Sequence, residues 1–208
     1  MAGPAHRHHR QARRLDAPRC HCRSWGDTNL ALGDTAFIPI MLGWNAGNFH
    51  WNVSVFGFAP TGDYSTRQLA NASLNRWAVM PRFAATYFDP KSGWQMNGVA
   101  VYTINFENPD TNYDSGDILN LEGSILKNFG PLGVGAVGYA MIQTTADSGE
   151  GARLGANESR VYGVGPILTY AFGKPRNPLT FIVKGFHEFG AERTFEGDIV
   201  DVAFSFKF

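Results

Sequence analysis

Charge is scarce in this chain. Of its 208 residues, 17% are Asp, Glu, Lys or Arg, against about a quarter in an ordinary soluble domain, so a wholly water-exposed surface would be short of solubilising groups. No run approaches 18 uninterrupted apolar residues, which excludes a transmembrane helix. An export signal is not legible either. The Arg pair in "ARRLD" is not followed by the apolar stretch of about 7–15 residues that a Sec or twin-Arg signal needs. A body exported from the cytoplasm would therefore have its true start upstream of this sequence.

Cysteine is almost absent. Cys20 and Cys22 both lie in the first 25 residues, with His6, His8, His9, His21 and six arginines (Arg7, Arg10, Arg13, Arg14, Arg19, Arg23) against one acid, Asp16. A "CHC" beside "HRHH" has the right atoms for zinc but no scaffold of paired ligands, so no metal site is expected. Taking this stretch from totals of 18 basic and 18 acidic residues leaves 12 and 17, a net charge of −5. The acidic remainder carries no nucleic-acid module, which argues against a nucleic-acid partner. Residues 1–30 read as a disordered basic arm foreign to the rest, and 31–208 as one β-barrel domain.

What the chain has in quantity is alternation. Phe (16), Gly (24) and aromatics (13%) are abundant, and from Gly33 onward apolar and polar residues alternate with the period of strands. About nine strands are expected, over 34–45, 48–60, 76–90, 94–107, 116–128, 131–145, 160–173, 178–190 and 197–208. In the last, Val200, Val202, Phe204, Phe206 and Phe208 share one face and Ile199, Asp201, Ala203, Ser205 and Lys207 the other. Short turns such as "NAGN" and "NFGPLG" take turns with longer polar loops such as "NPDTNYDSGD" and "ADSGEGARLGANES". That asymmetry is the pattern of an antiparallel up-and-down barrel in an outer membrane, with short periplasmic turns and long outer loops.

Alternation alone also fits a lipocalin-like soluble barrel, apolar inside. Three features favour the membrane. Aromatics gather near strand ends (Trp44, Trp51, Trp77, Tyr87, Trp94, Phe106, Tyr170, Phe172, Phe189, Phe206, Phe208), where an interfacial girdle belongs. The strands are long enough for a tilted crossing of about 9–11 residues. Finally, Val202, Phe204, Phe206 and the terminal Phe208 resemble the C-terminal signal by which the barrel assembly machinery recognises outer-membrane proteins.

A closer resemblance covers residues 31 to 208. "LGDTAFIPIMLGW", "FAPTGDYS", "LNRWAVMPRFAATYFD", "NPDTNYDSGD", "GYAMIQTTADSG" and "VYGVGPILTYAF" resemble the transporter-like outer-membrane family of the MetA pathway of phenol degradation. The resemblance implies a Gram-negative outer-membrane barrel in contact with lipid, and passage of small hydrophobic or aromatic compounds. It implies no catalytic residue. Members of that family carry further N-terminal strands, and single-chain bacterial barrels use even strand numbers. The nine strands are thus expected to be a fragment of a 10–12-stranded barrel.

The chemical motifs read more plainly. "GVGAVG", Gly133–Gly138, matches a dinucleotide-loop pattern but lies inside a strand rather than opening a helix, and no cofactor is expected. Asp110, Asn112 and Asp114 sit at calcium-loop offsets, yet Gly116 is one place late and Leu121 replaces the closing Glu. His187 and Glu188 are sequence neighbours, so on a strand they face opposite ways, and no nucleophile and base are brought together; the chain is not expected to be an enzyme. Arg82, Glu107, Glu122, Lys184, Glu188 and Asp201 fall on polar faces and are the pore-lining candidates. The expected function is an outer-membrane channel for small hydrophobic or aromatic compounds; the alternative is a barrel that binds an apolar ligand without transporting it.

Overall fold

The computed structural model describes residues 30–68, 70–173 and 179–206. The expected basic arm, save its last residue, and Phe208 lie outside them. Nine strands form one sheet: β1 (Thr35–Ala46), β2 (Phe49–Ala59), β3 (Ala78–Asp89), β4 (Trp94–Asn105), β5 (Ile118–Phe129), β6 (Leu132–Gln143), β7 (Arg160–Phe172), β8 (Leu179–Glu192) and β9 (Asp198–Phe206). They follow sequence order, every neighbour antiparallel. The architecture is the expected all-β, up-and-down one, and the sheet is not closed, with β1 and β9 as its two edges.

Turn chemistry sets the connections. At one end the chain reverses within a few residues, with Gly93 (φ 75°) and Gly130 (φ 62°) in the left-handed region that side chains with a Cβ disfavour. At the other end the connections after β2, β4 and β6 are long. Pro39 has no N–H to give the ladder, and it sits where the β1–β2 register shifts between Phe37 and Ile40.

One expectation needs correcting. The alternation carried the fourth strand to residue 107, but β4 stops at Asn105. There the Asn105 N–H turns to Asp117 Oδ1 (3.1 Å) and its side-chain amide to Gly116 O (2.5 Å). These local hydrogen bonds replace the next rungs, and Glu107 lies in the loop, not on the wall.

Register divides the sheet into two unlike faces, since paired residues point the same way. One face carries Leu42, Trp44, Trp51, Val53, Phe83, Met96, Ala100, Leu121, Ile125, Leu168, Val183, Val202 and Phe204 in register. Its cations and acids lie at strand ends, Asp89 and Lys127 beside the short turns and Arg160 with Glu192 at the loop end, except His187, the ninth of the fourteen residues of β8, which pairs with Asp198 at the start of β9. The other face carries Asn52, Arg82, Asn97, Ser124, Glu122, Tyr139, Ile167 and Lys184. Lys184 on β8 meets Glu122 on β5 although β6 and β7 lie between. At about 4.8 Å per strand spacing, that contact requires the polar face to be concave.

The little core there is sits on this concave side. Leu126 (1% exposed), Val137 and Ile167 are buried together, with Ile182 and Phe186 packed against them. The convex face has no such cover: Trp44, Phe83, Val202 and Phe204 are all exposed.

Candidate functional site

Two polar assemblies stand on this frame. The first lines the concave wall. Arg82 Nη1 donates to Asn52 Oδ1 (3.0 Å) on β2, and a ladder runs across three strands from Thr86 Oγ1 to Asn97 Oδ1 (2.9 Å) and from Asn97 Nδ2 to Ser124 Oγ (2.9 Å). Lys184 Nζ donates to Glu122 Oε1 at 2.6 Å, and Asp201 is its register partner on β9. Tyr139 Oη donates to Glu188 and its ring stands edge-on to Phe186, 5.1 Å between centroids. A cavity of about 210 Å³ opens between Gln95, Asn97, Ser124, Ile182 and the Lys184–Glu122 pair.

Of the six charged residues singled out in the sequence, Arg82, Glu122, Lys184, Glu188 and Asp201 share the concave face, and the wall joins Lys184 to Glu122 directly. Glu107 does not reach it. His187 points the other way from Glu188 and pairs with Asp198 (2.9 Å), as neighbours on a strand must. Trp44 and Trp51 face each other across the first turn, Tyr87 meets Phe49 in a tilted contact with centroids 4.8 Å apart, and Lys127 lies 5.0 Å over the Trp94 ring. With Phe206 at the end of β9, these rings form a row on the convex face along the short-turn rim; Trp77, one residue before β3, lies at the loop rim.

The second assembly is at the loop end. Three connections, 60–77, 106–117 and 144–159, are stitched to one another. Asp34 accepts from the N–H groups of Gly62 (3.2 Å) and Leu74 (3.0 Å). Partial burial pushes its carboxyl pKa up, and hydrogen bonds from Ser73, Leu74 and Gly62 outweigh that, leaving it below the ordinary carboxylate value. Asn75 and Asn108 link the first two loops (3.1 Å). Gln143, at the last position of β6, ties the others: its amide faces Ser115 O, Thr145 O, Asp147 Oδ1 and Asn157 O at 2.6–3.0 Å, and its carbonyl accepts from Ser159.

Tyr113 Oη donates to Asp147 Oδ2 (2.7 Å). Burial first, then this bond and the Asp147 charge, push the phenol pKa up to about 12. Arg76 donates to Ser115. Burial depresses its guanidinium pKa, against the pull of Tyr113, Asp114 and Asp147. Between the loops lies a cavity of about 810 Å³, walled by Tyr64, Leu74, Arg76, Tyr113, Asp147, Arg153, Leu154 and Arg193. Its residues escaped the sequence reading because they come from loops many residues apart and obey no period. The legible signal was the length of those loops.

A family model described as "Putative MetA-pathway of phenol degradation" matches residues 15–204. The chain belongs to that family. Membership associates this MetA-pathway chain with phenol degradation, in keeping with the resemblance carried by its motifs. Comparisons with curated proteins and with solved structures give no match. Within this family member, no group of three or more His, Cys, Asp or Glu placed to hold a metal occurs among the described residues.

Proposed function

We propose that this chain forms the wall of a bacterial outer-membrane barrel through which small hydrophobic or aromatic compounds pass. The carrying observation is the segregation of the two faces. The convex face has its Lys and Arg only near strand ends, with His187 in mid-β8 paired to Asp198, while Arg82, Glu122, Lys184, Glu188 and Asp201 stand on the concave one. Charge in mid-strand on a lipid-facing wall would cost about 2–4 kcal/mol for each Arg or Lys; on the concave side it meets partners and water. The rings at the short-turn rim then occupy the interface, and Phe208 serves the assembly machinery. The wall chemistry is binding and passage rather than catalysis.

A second reading has its own support. Leu126, Val137, Ile167, Ile182 and Phe186 fill part of the concave side, so the barrel could hold an apolar ligand against this cluster without conducting. The discriminating experiment is expression of the full chain, outer-membrane fractionation with heat-modifiable gel migration, and solute flux into vesicles holding the purified protein. Outer-membrane recovery with faster influx of phenol than empty vesicles supports the channel. A folded, membrane-borne protein that binds phenol but leaves influx unchanged supports the holder, and a monomer soluble in plain buffer overturns the membrane reading.

A further inference from the structure

The loop-end cavity is lined by an excess of cationic side chains. Three arginines, Arg76, Arg153 and Arg193, line it against one acid, Asp147. That acid is already engaged, taking hydrogen bonds from Tyr113 (2.7 Å) and Gln143 (2.6 Å). The ion pairs among the described residues are Arg160–Glu192, Lys184–Glu122 and His187–Asp198, and none of the three arginines is in them. Arg76 adds a second observation: its Nε–H is buried and finds no acceptor among the described residues. Buried donors are almost always paired, so this N–H is a polar group the fold leaves unsatisfied beside the cavity rather than on its open surface.

The remaining wall is not that of a bare anion site. Half-buried Tyr64 and Tyr113 supply ring surface around the same space, and the exposed Leu74 and Leu154 edge it. Its volume of about 810 Å³ lies in the range of small-molecule sites, which are mostly apolar with a few placed polar groups. Guanidinium groups match carboxylates in planar, two-pronged geometry.

We propose that this cavity is a binding site for aromatic carboxylates, the arginines taking the carboxylate and the tyrosine and leucine side chains the ring. The site stands at the loop end of the concave face, so it would concentrate the anionic form of an aromatic solute ahead of the wall. This deepens the passage reading above by naming a substrate class, and it rests on that reading only for the step that follows binding.

The test is calorimetric titration of the full chain, folded in detergent micelles, with 2-naphthoate, its neutral analogue 2-naphthylmethanol, and inorganic phosphate. Naphthoate should bind at least ten-fold more tightly than the alcohol at low salt. Arg153→Gln with Arg193→Gln, both on exposed loop positions, should weaken naphthoate ten-fold or more while heat-modifiable migration is unchanged. Equal binding of acid and alcohol, or an unchanged affinity in the double variant, overturns the proposal. Phosphate binding as tightly as naphthoate overturns its aromatic part and leaves a simple anion site. A protein that conducts phenol in vesicles yet fails to bind naphthoate overturns this inference alone; one that binds naphthoate without conducting overturns the passage reading alone.

Discussion

Lys184 on β8 reaches over two intervening strands to Glu122 on β5, Nζ to Oε1 2.6 Å. The pair is part-exposed, at 22% and 43% of the two side chains, so it lies between surface pairs, worth about 0–1 kcal/mol, and buried ones, where removing one partner costs about 3–5 kcal/mol. Lys184→Met should therefore cost about 1–3 kcal/mol by urea unfolding in micelles. The Glu122→Gln, Lys184→Met double variant should be more stable than Lys184→Met alone. If the single losses simply add, the two residues do not interact across the bore.

Adjacent residues on β5 test the orientation of the faces. Leu121 is on the convex side and Asn120 on the concave side. In phospholipid vesicles, Leu121→Arg should reduce folding stability by about 2–4 kcal/mol, whereas Asn120→Arg, facing the polar side, should stay within about 1 kcal/mol of the parent. Equal costs at both positions would reverse or void the assignment of faces.

Tyr113 gives a pH signature outside the wall. Its folded pKa of about 12 exceeds the ordinary 10.0, so folding favours the neutral phenol. The contribution is full below pH 10 and is lost as pH rises from there through about 12. An alkaline absorbance titration should show a late component whose amplitude falls by one tyrosine in Tyr113→Phe, and stability over that window should become flatter in the variant. A late component that survives the substitution belongs to another tyrosine.

Gln143 is the knot of the loop end. Gln143→Leu keeps the size but removes the two N–H groups that the carbonyls of Ser115, Thr145 and Asn157 share with Asp147, at about 1–3 kcal/mol for the groups that stay buried. Limited proteolysis should then cut 106–117 and 144–159 faster than in the parent, with the wall still resistant. Unchanged cutting would mean the loops hold without it.

Strand number, order and ends were readable because each strand has a wet side and a dry side, and a period of two writes that difference into the sequence. The expected ends fall within two residues of those found wherever described. The error at Glu107 has a local cause: Asn105 and Asp117 can bond to backbone, and such residues end a ladder without breaking the alternation. The wall charges were readable as a set but not as pairs; nothing in "VKGFHEF" says that Lys184 belongs to Glu122, 62 positions away, until curvature brings β5 and β8 together. Arg76, Tyr113, Arg153 and Arg193 were invisible for a stronger reason. They lie in loops, where side chains answer to neighbours supplied by other loops and no periodicity survives.

Because consecutive strands alternate in direction, the first and ninth point the same way. Whatever seals the seam between them by antiparallel pairing must supply strands in odd number, so one strand or three can fit and a lone hairpin cannot. Two copies joined edge to edge by like strands would have to stand on opposite heads, loops of one beside turns of the other. A zipper between copies is thus topologically at odds with insertion from one side of a bilayer.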